Sequence, residues 1–147
     1  MAQLVSAARS PVSRDFRTRE VTDLKETEPP ARLAGSLGQL YMGLEWIGLE
    51  EVERWRIVGK VALDSMPGVR LRMVKRMSAG PAVSSRVMRD EFGCSPNTVR
   101  FTAEDLMLHG VVEQVEKGER MGERAGSYRL TSWAKGRLAV GWEGLRI

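Results

Sequence analysis

The sequence predicts a mainly α chain with a small antiparallel β ribbon, and three observations carry that reading. Residues 84–108 hold two short helical patterns separated by a glycine and a serine-proline pair. After Gly110 the hydrophobic period changes from helix to strand over residues 111–116, and again over residues 127–131. Upstream, residues 31–65 carry two longer stretches of helical period.

In chain order, residues 1–30 hold scattered single apolar residues, a serine-arginine tract and a terminal Glu28-Pro29-Pro30, too little to form a core alone. They read as a flexible, extended N-terminal arm, with Phe16, Val21 and Leu24 as the side chains that would dock it. From Ala31 the pattern changes. Leu33, Leu37, Leu40, Tyr41, Leu44 and Ile47 fall on one helical stripe, and the two prolines before them suit a helix start, giving a helix over residues 31–48. Its glycines at 35, 38 and 43 each cost up to about 1 kcal/mol relative to alanine, which close helix approach must offset.

A second helix is expected over residues 50–65. Glu50, Glu51 and Glu53 favour the positive end of its dipole, and Val52, Trp55, Ile57, Val58, Val61 and Ala62 supply apolar surface. Met66-Pro67-Gly68 breaks it. A helix over residues 69–77 turns Val69, Met73, Val74 and Met77 to the core and Arg70, Arg72, Lys75 and Arg76 to solvent or phosphate. Gly80 ends it, and Ala82-Val83 form a small first strand.

Ser84 and Ser85 can cap the next helix, which Gly93 ends by taking the left-handed conformation. Ser95 caps the following helix and Pro96 takes its first position. Within it Val99, Thr102, Ala103, Leu106 and Gly110 share one face. The ribbon follows, with Tyr128 and Leu130 pointing one way and Arg129 the other. Lys117, Arg120 and Arg124 ride on the connection between its strands. Ser132 caps a last helix through about residue 140, with Trp133 and Leu138 buried. This order is the layout of a winged helix-turn-helix. It resembles families that carry a serine-proline cap, a threonine-hydrophobic pair, a leucine about eight residues on and a glycine before two aliphatics. Here these are Ser95, Pro96, Thr98, Val99, Leu106, Gly110, Val111 and Val112.

Charge is divided unevenly. Residues 1–68 carry nine basic and ten acidic side chains, a net −1, and residues 69–147 carry fourteen and nine, a net +5. The positive field lies on the helix-turn-helix half and favours a polyanionic partner. No apolar run approaches the roughly 18 residues needed to span a bilayer, and the N-terminus lacks the apolar core of a secretory signal. A single cysteine, Cys94, excludes an intramolecular disulfide, and the single histidine, His109, has no metal-ligand companions nearby. The expectations are a cytoplasmic protein with no cofactor, no metal and no catalytic residues.

The run RIVGKVALDSMPGVRLRMVKRM, followed by the helix-turn-helix, AEDLMLHGVV and SYRLTSWAKG, resembles the C-terminal lid and winged helix of actinobacterial and phage replication-type ATPases and primase-helicases. The similarity covers residues 28–136. It implies a phage or mobile-element setting and places Arg32 where those ATPases carry an arginine that reaches nucleotide. The phosphate-binding loop of such ATPases is absent from this chain, so it cannot hydrolyse ATP by that mechanism alone.

The chain divides into a flexible arm over residues 1–30, a two-helix lid-like or dimerisation element over residues 31–66, and a winged helix-turn-helix domain over residues 67–147. The expected function is non-enzymatic binding of double-stranded DNA, as a transcription regulator or replication accessory protein. Ser95, Asn97 and Thr98 occupy the N-terminus of the inserted helix, and Asn97 and Arg100 are the candidates for base edges. Arg86, Arg89, Lys117, Arg120 and Arg124 hold phosphates. Two acidic residues on that helix, Glu104 and Asp105, would repel phosphate unless they face the turn or pair with Arg100. The alternative is a protein-protein adaptor, possibly serving an ATPase or polymerase, that uses the apolar outward residues Phe101 and Leu108. A homodimer through residues 31–65 fits either reading.

Overall fold

Leu4, Val5 and Ala8 recur at helical spacing in AQLVSAAR and form one apolar face of α1 (Ala2–Arg9), where all three are fully buried. The computed structural model describes residues 1–24, 26–116 and 126–142. An antiparallel hairpin follows, β1 (Val12–Arg14) and β2 (Val21–Leu24), with Val12 opposite Leu24. The N-terminal segment therefore departs from the extended arm expected from its sequence. One short helix is enough to bury three aliphatic side chains once other helices cover it. The hairpin is docked by Arg14, whereas Phe16, Val21 and Leu24 are exposed.

Two helices come next, α2 (Pro30–Trp46) and α3 (Glu51–Asp64), close to the expected bounds. Arg54 ties them, its guanidinium 2.6 Å from Glu45 and stacked 4.6 Å from the Tyr41 ring centroid. Tyr41 also meets Trp55, ring centroids 4.6 Å apart. Leu33 is buried and Leu37, Leu40, Tyr41 and Leu44 are half-buried, as the stripe predicts, but Ile47 lies beyond the helix end and is exposed. On α3, Val58, Ala62 and Leu63 are buried, while Val52, Trp55 and Val61 are exposed.

The remaining elements are α4 (Gly68–Ser78), β3 (Val83–Ser84), α5 (Ser85–Phe92), α6 (Pro96–Leu108), β4 (Val112–Glu116), β5 (Ser127–Leu130) and α7 (Ser132–Trp142). The fold of the described residues is mainly helical with a small antiparallel sheet. Its three strands lie in the order β3-β5-β4, with Val83 opposite Tyr128 and Val112 opposite Leu130. Gly126 lies against the side-chain amide of Gln114, which would have to swing aside for a Cβ there. At α7 the cap is Thr131 and not Ser132: Thr131 Oγ1 accepts from the Ala134 N–H at 3.2 Å and donates to the Gly110 carbonyl at 2.8 Å. Trp133 is 41% exposed where burial is expected, and Ala134 takes the inward position beside Leu138.

One apolar core runs through the molecule, from Leu4 of α1 through Leu63 of α3, Met73 and Met77 of α4 and Leu106 of α6 to Leu130 of β5 and Leu138 of α7. Arg70 of α4, expected at the surface, is buried at its rim. Its Nη1 donates to the carbonyls of Ala8 at 3.0 Å and Ser10 at 2.6 Å, which satisfies the C-terminal end of α1.

Candidate nucleic-acid interface

The α5–α6 unit is built by local chemistry. Ser84 Oγ accepts the Val87 N–H at 3.3 Å to start α5, and Gly93 ends it at φ 60°, where a side chain is disfavoured. Ser95 Oγ then accepts the Thr98 N–H at 3.1 Å, with Pro96 at the first helical position of α6. The inner face of α6, Val99, Ala103 and Leu106, is fully buried. That fixes the opposite orientation of the helix N-terminus, where Ser95 and Asn97 are exposed and Thr98 is half-buried.

The acidic residues of α6 are matched by arginines from elsewhere in the chain. Arg14 of β1 donates to Glu104 Oε2 at 3.1 Å and to Asp105 Oδ1 at 2.6 Å. Arg70 donates to Asp105 Oδ2 at 2.8 Å, so both oxygens of Asp105 are occupied by guanidinium groups. Glu104 also lies 3.8 Å from Arg100 Nε. Neither Arg14 nor Arg70 figures among the site residues expected from sequence. For Arg70 a signal existed: it sits four residues before Val74 and seven before Met77, on the buried stripe of α4. For Arg14 none did, since its partners are about 90 positions away in the chain and joined to it only by the fold.

Phe101 lies close to two cations. The Arg14 and Arg100 guanidinium carbons lie 4.7 and 4.6 Å from its ring centroid, within the range of cation–π attraction. Arg100 thus lies against Phe101 and 3.8 Å from Glu104, the two groups that would compete with a base edge for it. Leu108, the other apolar residue expected to face a partner, is exposed.

The basic residues of α5 differ from each other. Arg86 is exposed and makes no ion pair among the described residues, whereas Arg89 is 2.7 Å from Asp90. Lys117, Arg120 and Arg124 lie outside the described residues. Arg32 is exposed on the first turn of α2. The outward groups at the start of α6 are thus hydrogen-bonding, α5 presents Arg86 and Arg89 together with the exposed carboxylates Asp90 and Glu91, and the carboxylates of α6 are matched by arginines.

His109 ends α6 beside this network. Burial holds its imidazole below the ordinary value, and the charge of Arg70 adds to the effect, against smaller opposing contributions from Asp105 and the Ser10 backbone. Among the described residues no group of three or more His, Cys, Asp or Glu side chains is arranged to hold a metal ion, and no helix is long and apolar enough to cross a membrane. No protein-family model, curated protein or solved structure matches the chain.

Proposed function

We propose that residues 67–147 form a winged helix that binds double-stranded DNA without chemistry, serving as a transcription regulator or replication accessory protein. The observation that carries the proposal is the neutralisation of α6. With Asp105 held between Arg14 and Arg70, and Glu104 held by Arg14, the one feature of the helix that would repel phosphate is cancelled within the molecule. The element order, with β3 beside β5 and a hairpin after α6, supports the same reading.

In this arrangement the N-terminus of α6 enters the major groove, where Asn97 can pair with the two hydrogen-bonding groups of an adenine edge. Arg86 holds a phosphate from α5. Lys117, Arg120 and Arg124 supply the phosphate contacts of the connection after β4. The adaptor reading has less support, because Phe101 is half-buried and already in contact with the guanidinium groups of Arg14 and Arg100.

Fluorescence anisotropy with a random 30-base-pair duplex, titrated across salt, tests the proposal. The native chain should bind with a log-log salt slope of about −0.9 per phosphate contacted, and Arg86→Ala should flatten that slope by about one contact. A Lys117→Ala, Arg120→Ala, Arg124→Ala triple variant should flatten it further. Absence of binding by the native chain at low salt rejects DNA as the partner, and a pull-down comparing native protein with Phe101→Ala and Leu108→Ala then becomes the informative experiment.

A further inference from the structure

Helix α2 is apolar on two opposite faces, and the monomer uses only one. Leu33, Leu37, Leu40 and Leu44 face inward, against α1 and α3. On the other side Ala31, Gly35, Gly38, Met42 and Trp46 recur at four-, three-, four- and four-residue steps, forming a single stripe that is exposed throughout. Only Arg32 and Glu45 are charged among the 17 residues of the helix, a poor composition for a surface open to water.

Three glycines in one helix cost up to about 1 kcal/mol each relative to alanine, which a close approach by another backbone would explain. The monomer makes no such approach: among the described residues nothing lies within 4 Å of a Cβ built at Gly35, Gly38 or Gly43. Beside the stripe, α2 and α3 enclose an apolar groove of about 850 Å³, lined by Ala34, Gly38, Tyr41, Met42, Val52 and Trp55 among others. Met42, Trp46, Ile47, Val52 and Trp55 around it are between 49% and 84% exposed. Together these five expose on the order of 700 Å² in all, close to the roughly 800 Å² each partner buries in a standard interface.

We infer that this face is covered by a second copy of the same chain, its α2 lying antiparallel to the first about a two-fold axis between Gly38 and Gln39. Size along the stripe is polarised, with Ala31, Gly35 and Gly38 in the first half and Met42 and Trp46 in the second. A two-fold axis sets the small half of one helix against the large half of the other, Ala31 facing Trp46 and Gly35 facing Met42. Self-complementarity of this kind is what an isologous contact requires, whereas a foreign partner gives no reason for it. The glycines then admit the partner's helix, and the large side chains fill the groove. The inference stands independently of the DNA reading.

Sedimentation equilibrium on the full chain at micromolar concentration tests it, together with two substitutions. The native protein should give twice the 16.4 kDa chain mass. Gly35→Lys enters open space in the monomer and raises helix propensity, so its fold should be intact by circular dichroism while the dimer dissociation constant rises about 100-fold. Gly38→Cys, made in a Cys94→Ser background, should cross-link to its own copy under mild oxidation, because the two-fold axis passes beside it. A native protein that stays monomeric overturns the inference. So does a dimer that survives Gly35→Lys unweakened, or one in which Gly38→Cys forms no disulfide.

Discussion

At the scale of single residues, Asp105 is where three parts of the chain meet. It receives Arg14 from the N-terminal hairpin and Arg70 from α4, and Arg70 in turn caps α1 through the carbonyls of Ala8 and Ser10. All three side chains are largely shielded from water, so removing the carboxylate strands two guanidinium groups in a poor solvent. Asp105→Ala should therefore lower unfolding free energy by about 3 kcal/mol in urea titrations, while Asp90→Ala, which breaks the exposed pair with Arg89, should cost no more than about 0.5 kcal/mol. The neighbouring His109 adds a pH dependence. Its folded-state value is depressed, so the folded protein resists a proton that the unfolded chain accepts. That contribution is fully present above the ordinary imidazole value of about 6.5 and is lost as pH falls below it through the folded value. The urea midpoint should drop between pH 7.5 and 5.5, and His109→Gln should reduce the drop; equal drops in the two proteins would show that His109 is not linked to folding.

At the scale of elements, legibility in the sequence follows the range of the forces that set each one. Helices α5 and α6 are readable because Ser84, Gly93, Ser95 and Pro96 act within three residues of the backbone they cap. The sheet strands β4 and β5 are readable from their change of period. Helix α1 is not readable. Its eight residues have too few apolar positions to predict a core, and they become buried only because α2, α3 and α7 arrive from later in the chain. The same limit applied to charge. A sequence shows Glu104 and Asp105 as a liability on α6, but the cancelling Arg14 lies about 90 positions upstream and is brought there by the docked hairpin. Asn97 and Arg86 were legible as outward groups, whereas the approach of Arg14 to Phe101 was not, since the two are 87 positions apart in the chain.

At the scale of the molecule, the question is whether the three parts suggested by the sequence fold separately. The apolar core crosses each of their boundaries: Leu4 and Val5 belong to the first part, Leu33, Ala62 and Leu63 to the second, and Met73, Leu106, Leu130 and Leu138 to the third, all in one contiguous cluster. The Arg70–Asp105–Arg14 network joins the first part to the third on the polar side. A chain of this size with a single shared core should unfold in one step. Trp46 and Trp55 report on α2 and α3 and Trp133 on α7, while far-ultraviolet circular dichroism reports on all the helices. The two signals should coincide in urea. Leu4→Ala, which empties a fully buried position in α1, should move both curves together by about 3 kcal/mol. If the fluorescence and dichroism transitions separate, or Leu4→Ala shifts only one of them, the first three helices are an independent folding unit, and the core that joins them to α4 contributes contact without cooperativity.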